Sequence, residues 1–557
     1  MLRILRRNDG FAALIALIMV GMLTLLGVAA LSTSDEEVTI AGNELQEMRA
    51  FYAAEAGLEI AAAAIQTQYD STGLPPLVMP NGSGTVNGCA VTYATADNGP
   101  MQHRTLAHGT LTGLHAMVKS FSIVDTAVNA VEDARVVMSQ DFETCLIPLF
   151  QFAIFYGDEL EIAPGPDMTL VGRVHSNGDL YLQAGSSLEV ESYMTAAGGI
   201  YHGRKPGCPE AASSGDVLIK DSDGALVSMR EGAGWLDGSD GHWYDSSLSR
   251  WDGRVQDQAH GQEQLNLPLT AAAGDDPHKL IEPGLGNLDS YEYKSTLKIV
   301  NDTVWWAADT VWVNVTDSLV AKGIVEFNNN KFTDKREGKL VDVTDLRLER
   351  LYDSTFNMTG YGVIDLAPPN GVIYFYDNDT GGTDYPAIRL SYGAELAEPL
   401  TVASGNPVYT WGDFNSVNKK GAAIMGDAVT FLSDQWDDNK SSWALSSQNK
   451  PNHTDVNCCY LTGNVLTTHS DYSGGFENLP RFLEDWGSRN FNWTGSAVNL
   501  WTSRQARASW SYGSYYKAPI RNWSYDTDLD DPANHPPESP MVRIFQRNGW
   551  KQEFVGY

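Results

Sequence analysis

The chain is short of cysteine and of positive charge. Five cysteines stand in 557 residues, too few for a disulfide-dense scaffold, and an odd count leaves at least one unpaired in any intramolecular scheme. Cys89, Cys145 and Cys208 are scattered and Cys458 and Cys459 are adjacent. With no CxxC pair and no Cys/His cluster of zinc spacing, a structural zinc site is disfavoured. One or two bridges can form if the body lies outside the cytoplasm, with a connectivity that spacing does not decide. Lysine and arginine number 38 against 70 acidic residues, a formal charge of −32. A field of that sign repels phosphate backbones and anionic lipid surfaces, which argues against nucleic-acid binding by the body and for attraction of divalent cations. Also missing are a GxSxG elbow, an HExxH pair and a GxxxxGK[ST] loop, so nucleophile, zinc and nucleotide chemistry have no motif to rest on. The chain reads as a non-enzyme.

What is present begins with a long apolar run. Arg3, Arg6 and Arg7 lie in the first ten residues, and Phe11–Leu31 follows without a charge. Twenty-one residues in a helix span about 30 Å, the thickness of a bilayer core. Arginines ahead of it stay cytoplasmic and place the body on the far side. A secretory signal has a shorter apolar core and then a small-residue cleavage site, a pattern this run fits poorly. The helical pattern continues through SDEEVTIAGNELQEMRAFYAAEAGLEIAAAAIQTQY to Tyr69, with Val38, Ala41, Leu45, Met48, Tyr52, Ala56 and Ile60 in steps of three and four. That spacing predicts one buried face on a single helix of roughly 90 Å. Gly21, Gly27 and Gly42 are points where it could bend or melt.

Beyond the helix the pattern turns to strands. VNGCAVTYAT at Val86–Thr95, LTGLHAMVKSFSIVDTAVN, ARVVMSQDF and CLIPLFQFAIFY alternate or run apolar, and strands wrapped against a helix make an α+β head ending near Tyr156. A twenty-residue repeat follows. Leu160, Leu180 and Ile200 fall in register, as do Ile162 with Leu182, Gly165 with Gly185, Met168 with Leu188, Leu170 with Val190, and Val174 with Met194. Short strands at a fixed period suit coils of a parallel β-helix (a solenoid) over 157–202; a hairpin repeat in an antiparallel sheet stays open. Residues 203–287 are rich in Gly, Asp, Ser and Trp and read as an irregular insertion. Strand patterns return over 288–450, where Ile388 and Val408 are again twenty apart, and 451–557 is rich in aromatics. The fold class is therefore α+β, mainly β, with a long N-terminal helix, a small head and a large β-rich body.

Polysaccharide lyases and hydrolases also use β-helices, and their carboxylates would here be sought among Asp158, Asp167 and Asp179 beside His175. Acids at coil corners, however, commonly bond to the backbone. For calcium, Asp526, Asp528 and Asp530 alternate in YDTDLDDPAN, as Asp377 and Asp379 do in YDNDTGG. Carboxylates two apart in a loop can converge on one hard cation. The first stretch has Asp531 at the sixth loop position and no glutamate at the twelfth, so it completes no EF-hand, and a solvated acidic turn is the competing reading. No cofactor is required. Exposed Trp and Tyr could stack on a surface glycan, although most will be core.

The stretch GFAALIALIMVGMLTLLGVAALSTSDEEVTIAGNELQEMRAFYAAEAGLE resembles the N-terminal segment of PilX-type minor pilins. FQFAIFYGDELEIAPGPDMTLVGRVHSNGDLYL, NPVYTWGDF and ENLPRFLEDW look like the body of long PilX-type pilus assembly proteins. The resemblance implies a leader over 1–10 that a prepilin peptidase cuts after Gly10, with Phe11 becoming the methylated N-terminus. It implies a transmembrane part over 11–34, and stem and head over 35–156. Major pilins carry glutamate at the fifth mature position, where this chain has Ile15. That carboxylate neutralises a neighbour's N-terminal ammonium inside an apolar bundle, and Ile15 cannot, which favours a tip or initiating position over a repeating one. The implied partners are other pilins, the peptidase and the inner-membrane assembly platform. The implied location is the inner membrane with a periplasmic body, then a cell-surface pilus or a periplasmic pseudopilus. A membrane-anchored β-helix adhesin and a tethered polysaccharide-active enzyme are the alternatives.

Overall fold

The computed structural model describes residues 9–72, 74–107, 109–129, 134–270, 276–284, 286–308, 311–352, 355–358, 362–378 and 384–554. The chain is mainly β with one long apolar helix near its N-terminus, an α+β arrangement, and it forms two compact units.

The first unit takes in Met1–Met101, Lys119–Thr144 and Phe545–Tyr557. Its helix runs unbroken from Asp9 to Thr72, about 96 Å at 1.5 Å per residue. The helix faces a sheet in the order Gly82–Val86, Cys89–Asp97, His115–Asn129, Ala134–Pro148, Met541–Phe554, its first three strands antiparallel. Val86–Thr95, expected as one strand, is instead the corner of a hairpin. Asn87 and Gly88 have φ of 48° and 83°, the Asn-Gly turn whose twist matches the strands it joins, and Gly82–Val86 folds back on Cys89–Asp97.

The expected buried face of the helix is also corrected. The side chains packed on the sheet are Ala50, Ala53, Ala54, Leu58, Ala61, Ile65 and Tyr69, against Cys89, Val91, Phe121, Ile123 and Met138 among others. Small residues win this face because they let the helix backbone come close. A Cβ placed on Gly57 would stand 2.5 Å from Cγ of Asp125.

The second unit comprises Gln102–Val118 and Cys145–Ile544 and is built on parallel ladders. Leu160–Ile162, Leu180–Leu182 and Ile200–His202 pair in parallel with Leu160, Leu180 and Ile200 opposite one another. Met168–Leu170, Ser187–Val190 and Asp216–Lys220 form a second ladder. Ile154–Tyr156, Val174–Ser176, Met194–Ala196 and Val255–Gln256 form a third. The twenty-residue period is thus the chain length between stacked strands, and the antiparallel hairpin alternative is set aside. Residues 203–287, read as irregular, supply Asp216–Lys220 and Val255–Gln256 to these ladders and the helix Trp243–Arg250 beside them. Val217, Ile219, Trp251 and Val255 of this stretch are fully buried.

The third ladder does not stop at Ile154. Ala497–Asn499 pairs in parallel on its other side, followed by Cys459–Thr462, Ala422–Gly426, Leu400–Ser404, Val372–Tyr376 and Leu297–Val300. A later stretch of chain therefore starts at the far end and works back to meet the first. A fourth ladder runs from Lys339–Arg347 through Tyr385–Glu395, Val408–Val417, Thr454–Asn457 and Asn490–Gly495 to Ile520–Tyr525. Ile388 and Val408 are partners in it. Antiparallel strands close ladder edges at Leu226–Ser228, Thr303–Ala308 and Val325–Asp334, changing the direction that an open parallel edge would offer to another chain.

Candidate functional site

The helix carries the most distinctive surface of the first unit. Phe11–Thr72 is long and apolar enough to cross a membrane, and from Phe11 to Leu31 its large apolar side chains are exposed, Ile15 among them. Gly10 lies within the same helix, while residues 1–8 of the expected leader lie outside the described residues. The apolar surface does not end with the membrane-length run. Val38, Leu45, Met48, Tyr52 and Ile60 stay uncovered, Val38 at 69% and Tyr52 at 56% exposed. Since 38, 45, 48, 52 and 60 fall within one helical stripe, the helix has two apolar faces. The alanine-rich one is covered by the sheet and the larger one is bare.

The acids considered for catalysis do not form a site with His175. That ring is buried, with Nδ1 2.8 Å from Thr195 Oγ1 and Nε2 2.9 Å from Asn177 Oδ1, and burial pushes its pKa down to about 4. It stacks at 5.2 Å on Phe155, its partner in the ladder. Asp179 accepts from the Gly199 amide (2.7 Å) and the Tyr181 hydroxyl (3.1 Å). Asp167 accepts from Ser186, and the Asp158 carbonyl accepts from Ser176 and Gly178. The bonds from Gly199, Ser186 and Ser176 each link one twenty-residue repeat to the next.

The aspartates considered for calcium meet a cation of the chain's own. Lys419 Nζ stands 2.6 Å from Asp526 and 2.8 Å from Asp528; burial opposes its charge, but the two carboxylates outweigh it and raise its pKa. Asp526 also caps the Asp528 amide, and Asp530 accepts from Tyr525. Asp379 of the other stretch lies outside the described residues. Among the described residues no group of three or more His, Cys, Asp or Glu is arranged to hold a metal. Cys89, Cys208, Cys458 and Cys459 are free thiols, and burial pushes the Cys458 and Cys459 thiols up.

Most aromatics of 451–557 are core: Phe482 and Phe491 pack ring to ring with Phe431, and Trp486 and Tyr516 with Phe482. Sequence reasoning passed over two buried carboxylates, Glu161, which lines a small cavity, and Glu477, which accepts from the Ala163 amide. Glu161 had a signal, because the repeat puts tyrosine at the same register position in the next two strands of its ladder, Tyr181 and Tyr201.

No protein-family model matches the chain, and no curated relative matches it. Among solved structures, the competence-associated pilin ComZ from Thermus thermophilus is similar at 12% identity and a TM-score of 0.28, over 92% of this chain and 98% of that one. A superposition at that score carries no argument.

Proposed function

We propose that the chain is a pilin-like structural subunit whose helix anchors it in a membrane and then packs among the stems of other pilins in a type IV pilus-class filament. The observation that carries this reading is the bare stripe Val38 to Ile60 continuing the apolar surface of Phe11–Leu31. A simple membrane anchor needs apolar surface only across the bilayer. A stem that is to be surrounded by other helices needs it along its whole length. Covering a half-exposed Leu, Met or Tyr contributes about 1 kcal/mol each, so the stripe adds a substantial fraction of a stem-to-stem interface.

The finer assignment is a minor subunit, at the tip or initiating the filament, because Ile15 offers no carboxylate to a neighbour's N-terminus. In this reading prepilin peptidase cuts between Gly10 and Phe11 and Phe11 is methylated. The inner-membrane platform assembles the subunit, and the body projects from the filament as the coils of a parallel β-helix, the parallel in-register ladders at twenty-residue spacing supporting that description. The body's role is structural or adhesive rather than catalytic.

Intact-mass spectrometry of the chain from its native membrane, with and without the peptidase, tests the processing. The expected species starts at Phe11 with one added methyl group; retention of Met1–Gly10 beside active peptidase refutes it. Leu45→Glu and Met48→Glu test the packing, being expected to leave thermal stability unchanged while abolishing incorporation into filaments. Normal incorporation of both variants would remove the stripe from the interface.

A further inference from the structure

The stripe Val38, Leu45, Met48, Tyr52 and Ile60 is bare, and the charges around it are nearly all of one sign. From Asp35 to Ile60 the helix carries seven acids and one base, Arg49. Glu37, Glu44 and Glu55 are exposed. Their spacings of seven and eleven residues put them within about 20° of one another, at about 100° per residue. They form a row up one edge of the stripe, about 90° from its centre. Further along, Glu59 pairs with Arg547 of Met541–Phe554, while Glu37, Glu44 and Glu55 have no ion-pair partner among the described residues. The sheet of the first unit covers the opposite face of the helix, and it reaches neither the stripe nor the row.

We infer that the stripe is covered by the stem of a different subunit, one carrying lysine or arginine beside its own apolar face at the level of Glu37 to Glu55, and that two copies of this chain do not pack stem to stem. The inference rests on the reading of the helix as a filament stem and adds which stem it takes.

Charge separates the occupants. A membrane surface bearing anionic lipids repels the row. A second copy brings an identical acidic helix, and two helices packed about 8–10 Å apart hold like charges within a Debye length of one another. A different helix with Lys or Arg beside its apolar face meets the row with opposite charge, in the way that charges flanking an apolar seam select coiled-coil partners. Burial of the stripe then supplies most of the affinity, and the row supplies the choice of partner.

The test is photocross-linking in the native cells, with benzoylphenylalanine in place of Tyr52 in the full chain. The expected adduct joins one copy of this chain to a different membrane protein. Mass spectrometry of the joined peptides should find at least two Lys or Arg on the partner's helix beside the contact. Glu37→Lys, Glu44→Lys and Glu55→Lys together should cut the adduct at least tenfold and leave the melting temperature unchanged, because all three side chains are exposed. Changing the partner's cations to glutamate should restore the adduct to that variant. An adduct between two copies of this chain, a partner helix without basic residues at the contact, or a yield that the triple change leaves intact overturns the inference. Each of these can occur while Leu45→Glu still abolishes incorporation, in which case the stem reading stands and only the choice of partner falls. Normal incorporation of Leu45→Glu and Met48→Glu, with no protein adduct from position 52, overturns both.

Discussion

Replacing Asp125 by asparagine should make the first unit more stable at pH 8 and leave it unchanged at pH 4. Asp125 sits on His115–Asn129 facing Gly57 of the helix, fully buried, and neither carboxylate oxygen accepts a well-formed hydrogen bond among the described residues. Burial pushes its pKa up to about 7, against a smaller downward pull from the Thr126 amide. In the unfolded chain an aspartate titrates near 3.9. Below that value both states hold the proton and the group is neutral to stability. Between about 4 and 7 the unfolded state ionises while the folded state does not, so stability falls as pH rises, and above 7 the loss is constant. Three pKa units at 1.36 kcal/mol each give an upper limit of about 4 kcal/mol. Asparagine keeps the size, removes the charge and abolishes that slope. Amide hydrogen exchange across 50–69 of the full chain, measured at pH 5, 6, 7 and 8 with intrinsic rates corrected, reports the opening free energy. Protection of the variant should exceed that of the wild type progressively from pH 5 to 8. An equal or lower protection at pH 8, or a difference that does not change with pH, would refute the reasoning and mean that the carboxylate is stabilised where it stands.

Other outcomes follow from the same packing. Gly57→Ala places a methyl against the Asp125 carboxylate and should cost about 1–3 kcal/mol; combined with Asp125→Ala it should recover at least half of that, a coupling a double-mutant cycle in denaturant reads directly. Leu180→Ala, between its ladder partners Leu160 and Ile200, should destabilise the second unit by about 2–5 kcal/mol, seen as a lower urea midpoint with unchanged slope. Arg389 is buried between Asp345 and Asp438, donating to the latter at 2.8 Å. Arg389→Ala should cost about 3–5 kcal/mol because it takes the guanidinium away from a buried carboxylate, and substituting both Arg389 and Asp345 by apolar residues should restore much of the loss.

Two features were legible because their cause is local or periodic. Helix formation needs only an unbroken run of compatible residues, and Asp9–Thr72 is that run; its three exposed-half glycines do not break it. Parallel in-register stacking ties residue i to residue i+20, so Leu160, Leu180 and Ile200 announce their own pairing. The hairpin at Asn87-Gly88 was also written in the chain, and the reading of Val86–Thr95 as one strand overlooked it.

The remainder depended on groups distant in the chain. Apolar spacing marked Val38, Leu45, Met48, Tyr52 and Ile60 as a face, but which of two faces a sheet covers is decided by how closely backbones can approach, and alanine and Gly57 allow more than leucine does. Nothing periodic tells Ala497–Asn499 to pair with Ile154–Tyr156, or Met541–Phe554 to join the sheet begun at Gly82, because each pairing is made once across hundreds of residues. The same holds for Glu477 and the Ala163 amide. By itself the sequence determined a membrane-length helix continuing beyond the bilayer length and a body of strands at a twenty-residue period, since bilayer thickness and repeat length are constraints that each segment meets alone. Only the tertiary structure decided which apolar face stays bare and which distant strands pair, since those are set by a single long-range meeting of surfaces that leaves no repeating mark in the chain.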